Sequence, residues 1–207
     1  MAPIRRSTWR RRRPRRARTP WRSAPSPSRG AAIDDFNLDG CRLLIVGINP
    51  GLWSEEVGAP FARPGNRFWP ALHAAGITPH PVDAAEGLSD ADLAMLADRG
   101  LGFTNVVARP TARAAELDAA EMREGGRILG EKVARQRERR GGPDIVLIVG
   151  IGAYRTAFGA PRATVGKQTA TVGGAETWVA PNPSGLNAHE TVDSLAAAYG
   201  EVWARLT

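Results

Sequence analysis

Two apolar runs decide most of what this chain can fold into. "CRLLIVGI" from Cys41 and "PDIVLIVG" from Pro143 are apolar through their centres, without the alternation of a strand that faces water on one side. Such runs read as strands covered on both faces, the situation of a parallel sheet with helices above and below. Each ends in a glycine-rich turn, "VGINPG" and "VGIGA", and a third strand, "TWVAP", ends in "NPSG". Helical patterns separate them, so the expected fold is a three-layer α/β/α sandwich with a mostly parallel central sheet. Carboxyl ends of parallel strands share one edge of the sheet, where open α/β folds build their sites. Asn49 and the "NPSG" loop are therefore expected at one crevice.

The remaining elements follow from periodicity and punctuation. After the first strand a Gly- and Pro-rich loop runs through "GAPFARPG". "NRFWPALHAAG" from Asn66 reads as a short helix with Phe68, Leu72 and Ala75 on one face. "SDADLAMLADRG" reads as a helix with Ser89 as N-cap and Gly100 as its stop. A short strand and loop follow from Gly102, then a long helix from Glu116. "GAYRTAFG" from Gly152 reads as a helix. "TATVGGAETWVAPNPSG" from Thr169 reads as a hairpin-like pair turning at Gly173-Gly174. A closing helix is expected from Asn187, with Val192, Leu195, Tyr199, Val202 and Leu206 on one face.

The net charge of +7 is divided unevenly. Residues 1–30 hold eleven arginines and no acid, whereas residues 31–207 hold 17 Lys+Arg against 21 Asp+Glu. Residues 1–32 are expected to form a disordered Arg/Pro/Ser-rich tail, and residues 33–207 the folded domain. No apolar stretch follows the arginines, so they are not read as a secretory signal. Two readings of the tail stand: an arm that binds DNA phosphates, or a solvated extension. The single cysteine, Cys41, leaves no disulfide framework and no cysteine-ligated cluster, and suits a reducing cytoplasm.

Three loops hold the candidate chemistry. In "GINPG" the glycines permit close backbone approach and Pro50 stiffens the turn. The Asn49 amide does not titrate near neutral pH, but it can orient a water, which suits a reaction whose leaving group departs readily. The alternative is a turn asparagine bonding its own backbone. In "NPSGLN", Asn182, Ser184 and nearby amides could hold an anion where the last helix begins. Leu186 at the loop tip is either a hydrophobic staple on that helix or a wedge for a base stack. In "PFARPGNRFW", Phe61 either tucks into the core or stacks on a flat ring, while Phe68 and Trp69 read as core.

These motifs, in this order and with "RPT" at Arg109, "GGR" at Gly125 and "GKQT" at Gly166, resemble the mismatch-specific uracil-DNA glycosylases, a family that includes the thymine-DNA glycosylases, over roughly residues 41–206. The resemblance implies a monofunctional DNA glycosylase of base excision repair. Its substrate would be uracil mispaired with guanine, with etheno-cytosine and thymine as further candidate bases. It implies that Asn49 positions the water that attacks C1′ and that Phe61 stacks on the flipped base. Gly47, Ile48 and Ser54 would complete the base pocket. Asn182, Pro183, Ser184, Gly185 and Leu186 would form the loop that enters the duplex, with Leu186 as wedge and Gly185 reading the widowed guanine. Flipping costs a few kcal/mol, less at a mismatch.

Ser54 in place of a smaller residue implies a preference for uracil over thymine. Asparagine in place of the aspartate of faster glycosylases implies slow turnover. Members often place an arginine after the wedge, whereas this chain has Asn187, Ala188 and then His189, which either replaces that contact or, as the favoured reading, faces solvent in the first helical turn. No lysine adjoins the catalytic loops, so no lyase step is expected. No cofactor or metal is expected, double-stranded DNA is the expected partner, and a bacterial, cytoplasmic monomer is the expected setting. Two other classes stand beside this one. A catalytically weak module that binds mismatches or abasic sites accounts for the arginine tail and for a non-titrating Asn49. A dinucleotide-binding protein is disfavoured, because "VGIGA" lacks the third glycine and the downstream acid of that fingerprint.

Overall fold

The computed structural model describes residues 35–207. The tail of residues 1–32 lies outside the described residues. The chain runs β1 (Leu43–Gly47), α1 (Leu52–Val57), α2 (Phe68–Ala74), α3 (Asp90–Asp98), β2 (Leu101–Asn105), a 3₁₀ turn (Ala114–Glu116), α4 (Ala119–Arg140), β3 (Ile145–Val149), α5 (Ile151–Ala157), β4 (Gly166–Lys167), β5 (Glu176–Ala180) and α6 (Val192–Trp203). The strands form one sheet in the order β2-β1-β3-β5-β4. All neighbours are parallel except β4, which runs antiparallel to β5.

Successive strand residues point to opposite faces, and both faces are covered. Leu43, Ile45, Phe103, Leu147 and Trp178 pack against α2, α3 and α6. Leu44, Val46, Val146, Ile148 and Val179 pack against α4 and α5. The three-layer α/β/α sandwich expected from the sequence is the observed fold, and its two cores explain why β1 and β3 show no polar alternation. The strand order turns back between β1 and β3, so a crevice opens outside their carboxyl ends.

The "GGR" glycines bring α4 against this edge. A Cβ on Gly125 would overlap the Val106 carbonyl just past β2, and one on Gly126 would come within 2.6 Å of the Ala157 carbonyl of α5. Neither position accepts a side chain without the helix moving off the sheet.

Three expectations need correction. The segment after Asn49 contains a helix, α1, where a loop was expected; it is only six residues long and glycine-flanked, too short for periodicity to register. The strand that pairs with β5 is Gly166–Lys167, and Gly173-Gly174 closes only an isolated bridge between Val172 and Ala175. The reason is local: the Val172 N–H donates to Thr177 Oγ1, and Gly173 packs directly on the backbone of α4 at Gly130 and Ala134. The last helix starts at Val192, five residues later than expected, because Thr191 rather than Asn187 supplies the cap: its hydroxyl accepts from Ser194 N–H at 3.1 Å. Leu195, Tyr199 and Val202 are buried as expected, whereas Leu206 lies past the helix end.

Candidate active site

β1 delivers the chain to Gly47, and the turn that follows is held by the segment after β2. Val106 N–H donates to Gly47 O at 2.9 Å, Val107 N–H to Ile48 O at 2.9 Å, and Thr111 N–H to Pro50 O at 3.1 Å. The segment from Val106 to Thr111, which ends in the "RPT" motif, therefore runs beside Gly47 to Pro50.

This contact fixes Asn49. Its Nδ2 donates to Arg109 O at 3.0 Å, to Thr111 Oγ1 at 2.8 Å and to Pro50 O at 3.2 Å. Two of these acceptors are carbonyls, which cannot donate, so the amide has one permitted orientation. The Asn49 Oδ1 is left with no partner among the described residues, as a free acceptor. Part of the backbone-bonded reading of this turn is thus correct, but it concerns only the nitrogen. The Thr111 hydroxyl gives its own proton to Arg113 O at 2.9 Å, so its lone pair faces Asn49. Arg109 is held in turn by Glu121 in the first turn of α4, with two N–O contacts of 2.8 Å. That hydrogen bond is the main reason the Glu121 carboxyl lies below the ordinary carboxylate range and the Arg109 guanidinium above its own.

Asn105 and Phe61 pack on Gly47, two residues before Asn49. A Cβ on Gly47 would overlap Asn105 Oδ1 and sit 3.5 Å from Phe61 Cζ. The position has room for glycine only, because the Asn105 amide packs directly on it and the Phe61 ring lies in ordinary contact. The Asn105 side chain takes no partner among the described residues, so both its donor and its acceptor are available. Ile48 is half-buried, and its side chain lies against Gly150 at the end of β3.

Phe61 is half-buried with φ +54°, a left-handed conformation that costs an aromatic residue roughly 1–3 kcal/mol. Its neighbours impose it. Trp69 Nε1 donates to Pro60 O at 3.0 Å, Ala62 N–H donates to Ser54 Oγ at 3.2 Å, and the ring stacks on Phe68 with centroids 3.9 Å apart. One face of Phe61 thus belongs to the core, as the tucked reading has it, and the ring edge lies beside Gly47. Ser54 is buried on α1, and its hydroxyl is committed to the Phe61 loop.

The "NPSGLN" loop is built by its own groups. Asn182 Oδ1 accepts from Ser184 N–H, Ser184 Oγ accepts from Leu186 N–H, and Asn187 Nδ2 donates to Asn182 O. It is not at a helix N-terminus, so the expected anion site at the start of the last helix is not formed. Leu186 is 78% exposed, which rules out a staple packed on α6. Pro183 is buried and accepts from Arg67 N–H at 3.0 Å. Arg67 Nη1 donates to Ser184 O at 3.2 Å and Asn187 O at 2.9 Å, one carbonyl on each side of Leu186. A Cβ on Gly185 would come within 2.6 Å of Gly65 O, so the Phe61 loop and the Leu186 loop are in contact. His189 is exposed and lies before α6, not in its first turn; its N–H donates to Asn187 Oδ1.

Thr111, Asn105 and Arg67 belong to this site although no local pattern singles them out. "RPT" and "NRFW" were visible as motifs, but their partners are 60 to 120 residues away in the chain. Among the described residues no group of His, Cys, Asp and Glu is placed to hold a metal ion.

The family model of the uracil DNA glycosylase superfamily matches residues 33–207. The fold is similar to the solution NMR structure of a candidate uracil DNA glycosylase from Methanosarcina acetivorans, with a TM-score of 0.55 and 18% identity over 86% of this chain and 97% of that one.

Proposed function

The chain belongs to the uracil DNA glycosylase superfamily, and on that premise we propose that it is a monofunctional DNA glycosylase that hydrolyses the N-glycosidic bond of uracil mispaired with guanine. One observation carries the reading: the Asn49 amide nitrogen is held by Arg109 O, Thr111 Oγ1 and Pro50 O, which leaves its carbonyl oxygen uncommitted among the described residues. That oxygen accepts a hydrogen bond from a water and aims the water's lone pair at C1′. The C1′–N1 electron pair leaves with the uracil ring. The water oxygen bonds C1′, and its proton passes to solvent or to the departing base. No group among the direct partners of Asn49 titrates near neutral pH, so the chemistry relies on position rather than on a general base.

The flipped uracil stacks on Phe61 beside Gly47, and the Asn105 amide meets its polar edge. Leu186 fills the gap left in the duplex, and the Gly185 backbone faces the widowed guanine. The buried Ser54, held against the Phe61 loop, favours uracil over the bulkier thymine. The protein acts as a cytoplasmic monomer on chromosomal DNA.

The test uses end-labelled duplexes carrying one G·U, A·U, G·T or G·C pair, treated with alkali after incubation. Cleavage at G·U above A·U is expected. No cleavage of any duplex, with retained binding to abasic DNA, instead supports the alternative of a weakly catalytic mismatch or abasic-site binder, a reading favoured by the lack of a titrating group on Asn49.

A further inference from the structure

The base chemistry leaves the "GKQT" motif unused, yet this motif organises a loop. Gln168 Nε2 donates to Thr164 O and to Gly166 O, each at 2.8 Å, and Gln168 N–H donates to Thr177 O of β5 at 2.8 Å. From the other side, Arg155 of α5 donates to Ala163 O through Nε at 2.9 Å and Nη2 at 2.6 Å. Two planar side chains thus hold residues 163–168 between α5 and β5.

Between this loop and α5 lies a hollow of about 360 Å³, with Tyr154, Pro161, Arg162, Gln168 and Thr169 among its lining. Tyr154 is only 3% exposed, and its hydroxyl takes no partner among the described residues. Burial raises the phenol above its ordinary value, so it stays a hydrogen-bond donor at physiological pH. Arg162 is exposed, and its guanidinium also takes no partner among the described residues. The Thr169 hydroxyl is likewise unpaired, whereas the Gln168 amide nitrogen is committed to the loop. No carboxylate lines the hollow. Unpaired donors without a neighbouring acid suit an anion, and a free guanidinium fork matches a phosphate.

The position of the hollow on the sheet indicates whose phosphate it meets. β4 runs antiparallel to β5, with Gly166 opposite Val179, so residues 162–165 enter from the carboxyl ends of the parallel strands. Tyr154 lies three residues past the start of α5, about 5 Å of helical rise. The hollow therefore belongs to the edge that carries Asn49, displaced sideways beyond β5 and the Leu186 loop. β4 is three strand spacings from β1, about 14 Å across the sheet. For a duplex lying along the strand ends, that span covers about four phosphates of one strand.

We propose that Arg162 and Tyr154 form a subsite for a backbone phosphate on one flank of the lesion, within about four nucleotides of the base engaged at Asn49. The proposal rests on the glycosylase reading and adds to it a contact that sets the register of the protein on the duplex. Residues 31–207 hold 17 Lys+Arg against 21 Asp+Glu, so they have no net attraction for a polyanion and depend on directed contacts of this kind.

The experiment measures binding of the full chain to a duplex holding a tetrahydrofuran abasic analogue opposite guanine, so that binding is read without base release. A single neutral methylphosphonate replaces each phosphate in turn on both flanks. Arg162→Gln loses about tenfold in affinity on the unmodified duplex, and its slope of log K against log salt is shallower by about 0.9. Among the methylphosphonates that weaken native binding, one or two adjacent ones on a single flank no longer matter in Arg162→Gln. Tyr154→Phe loses about threefold and is blunted at the same position. Arg139→Gln, the same charge change in the last turn of α4 at the opposite end of the sheet, binds as the native chain does. Losses that add for Arg162→Gln and every methylphosphonate, or an Arg162→Gln chain that binds like Arg139→Gln, overturn the proposal. Inorganic phosphate titrated without DNA separates the two sources of the anion: Arg162-dependent binding of it with no methylphosphonate coupling assigns the hollow to free phosphate and overturns the backbone assignment. Uracil release at G·U without Arg162 coupling fails this inference alone; Arg162 coupling without uracil release fails the glycosylase reading alone.

Discussion

The Thr111 hydroxyl stands 2.8 Å from the Asn49 side-chain nitrogen and, by donating to Arg113 O, presents a lone pair to it. Thr111→Val keeps the shape and removes the acceptor. The amide then loses a hydrogen bond worth about 0.5–1.5 kcal/mol and is free to reorient. Single-turnover base release should fall about tenfold with KM unchanged, and Thr111→Ser should retain most of the rate. A KM effect without a kcat effect would place Thr111 in substrate binding instead.

Arg67 brackets the exposed Leu186 through the carbonyls of Ser184 and Asn187. Its removal leaves the loop backbone intact but unclipped. Arg67→Ala should lower excision from duplex DNA by about tenfold, the cost of roughly one charge-assisted hydrogen bond. Excision from single-stranded uracil DNA should fall much less, since no base pair has to be opened. Arg67→Lys should recover little, because an ammonium does not reproduce the planar fork. Equal losses on both substrates would contradict this role.

The Glu121–Arg109 pair anchors the loop that orients Asn49, and its pH dependence follows from the direction of the Glu121 shift. Its hydrogen bond with Arg109 lowers the carboxyl in the folded state, so the stabilisation is fully present above the unfolded carboxylate value of about 4.3 and is lost as pH falls through the folded value. Activity and thermal stability should therefore not change through this pair between pH 6 and 9 and should decline on the acid side. Glu121→Gln should flatten that decline and cost about two- to fivefold in kcat near neutrality, as expected of a partly exposed pair. The comparison is a pH–rate profile of the two proteins.

Two glycines on α4 should respond in opposite ways to alanine. At Gly125 a Cβ overlaps the Val106 carbonyl, and such overpacking costs about 1–3 kcal/mol, offset in part by better helix propensity. At Gly130 no heavy atom lies within 4 Å of the added carbon, so the helix gains about 1 kcal/mol. Gly125→Ala should lower Tm by several degrees and Gly130→Ala should raise it by about 2–4 °C. Calorimetry on the two variants reads both.

What the sequence made legible was local. The unalternating runs at Leu43–Val46 and Ile145–Val149 announced a sheet covered on both sides, and Asn49 stood out because a rigid turn held it at a strand end. Ser89 was readable as an N-cap because the cap and the Asp92 N–H that donates to it lie three residues apart. Other features needed distance information. Thr111 and Arg67 act on residues far away in the chain, and Asn105 gains its place only through register with Gly47. Asn187 was read as a helix start because asparagine is a good cap, yet its side chain donates to Asn182 O to close the loop, leaving Thr191 to begin α6. The partner of β5 was misplaced because two glycines look like a hairpin turn, whereas the Gly173 backbone is used to approach α4.

The central claim is that the Asn49 carbonyl oxygen, and no titrating side chain, positions the attacking water. The direct measurement is single-turnover release of uracil from a G·U duplex by the native chain, Asn49→Ala and Asn49→Asp. The account predicts that alanine lowers the rate by at least about 10²-fold while affinity for an abasic duplex is retained, and that aspartate, which still offers an oxygen acceptor, keeps substantial activity. Native-like release by Asn49→Ala would contradict it and move the catalytic role away from this turn.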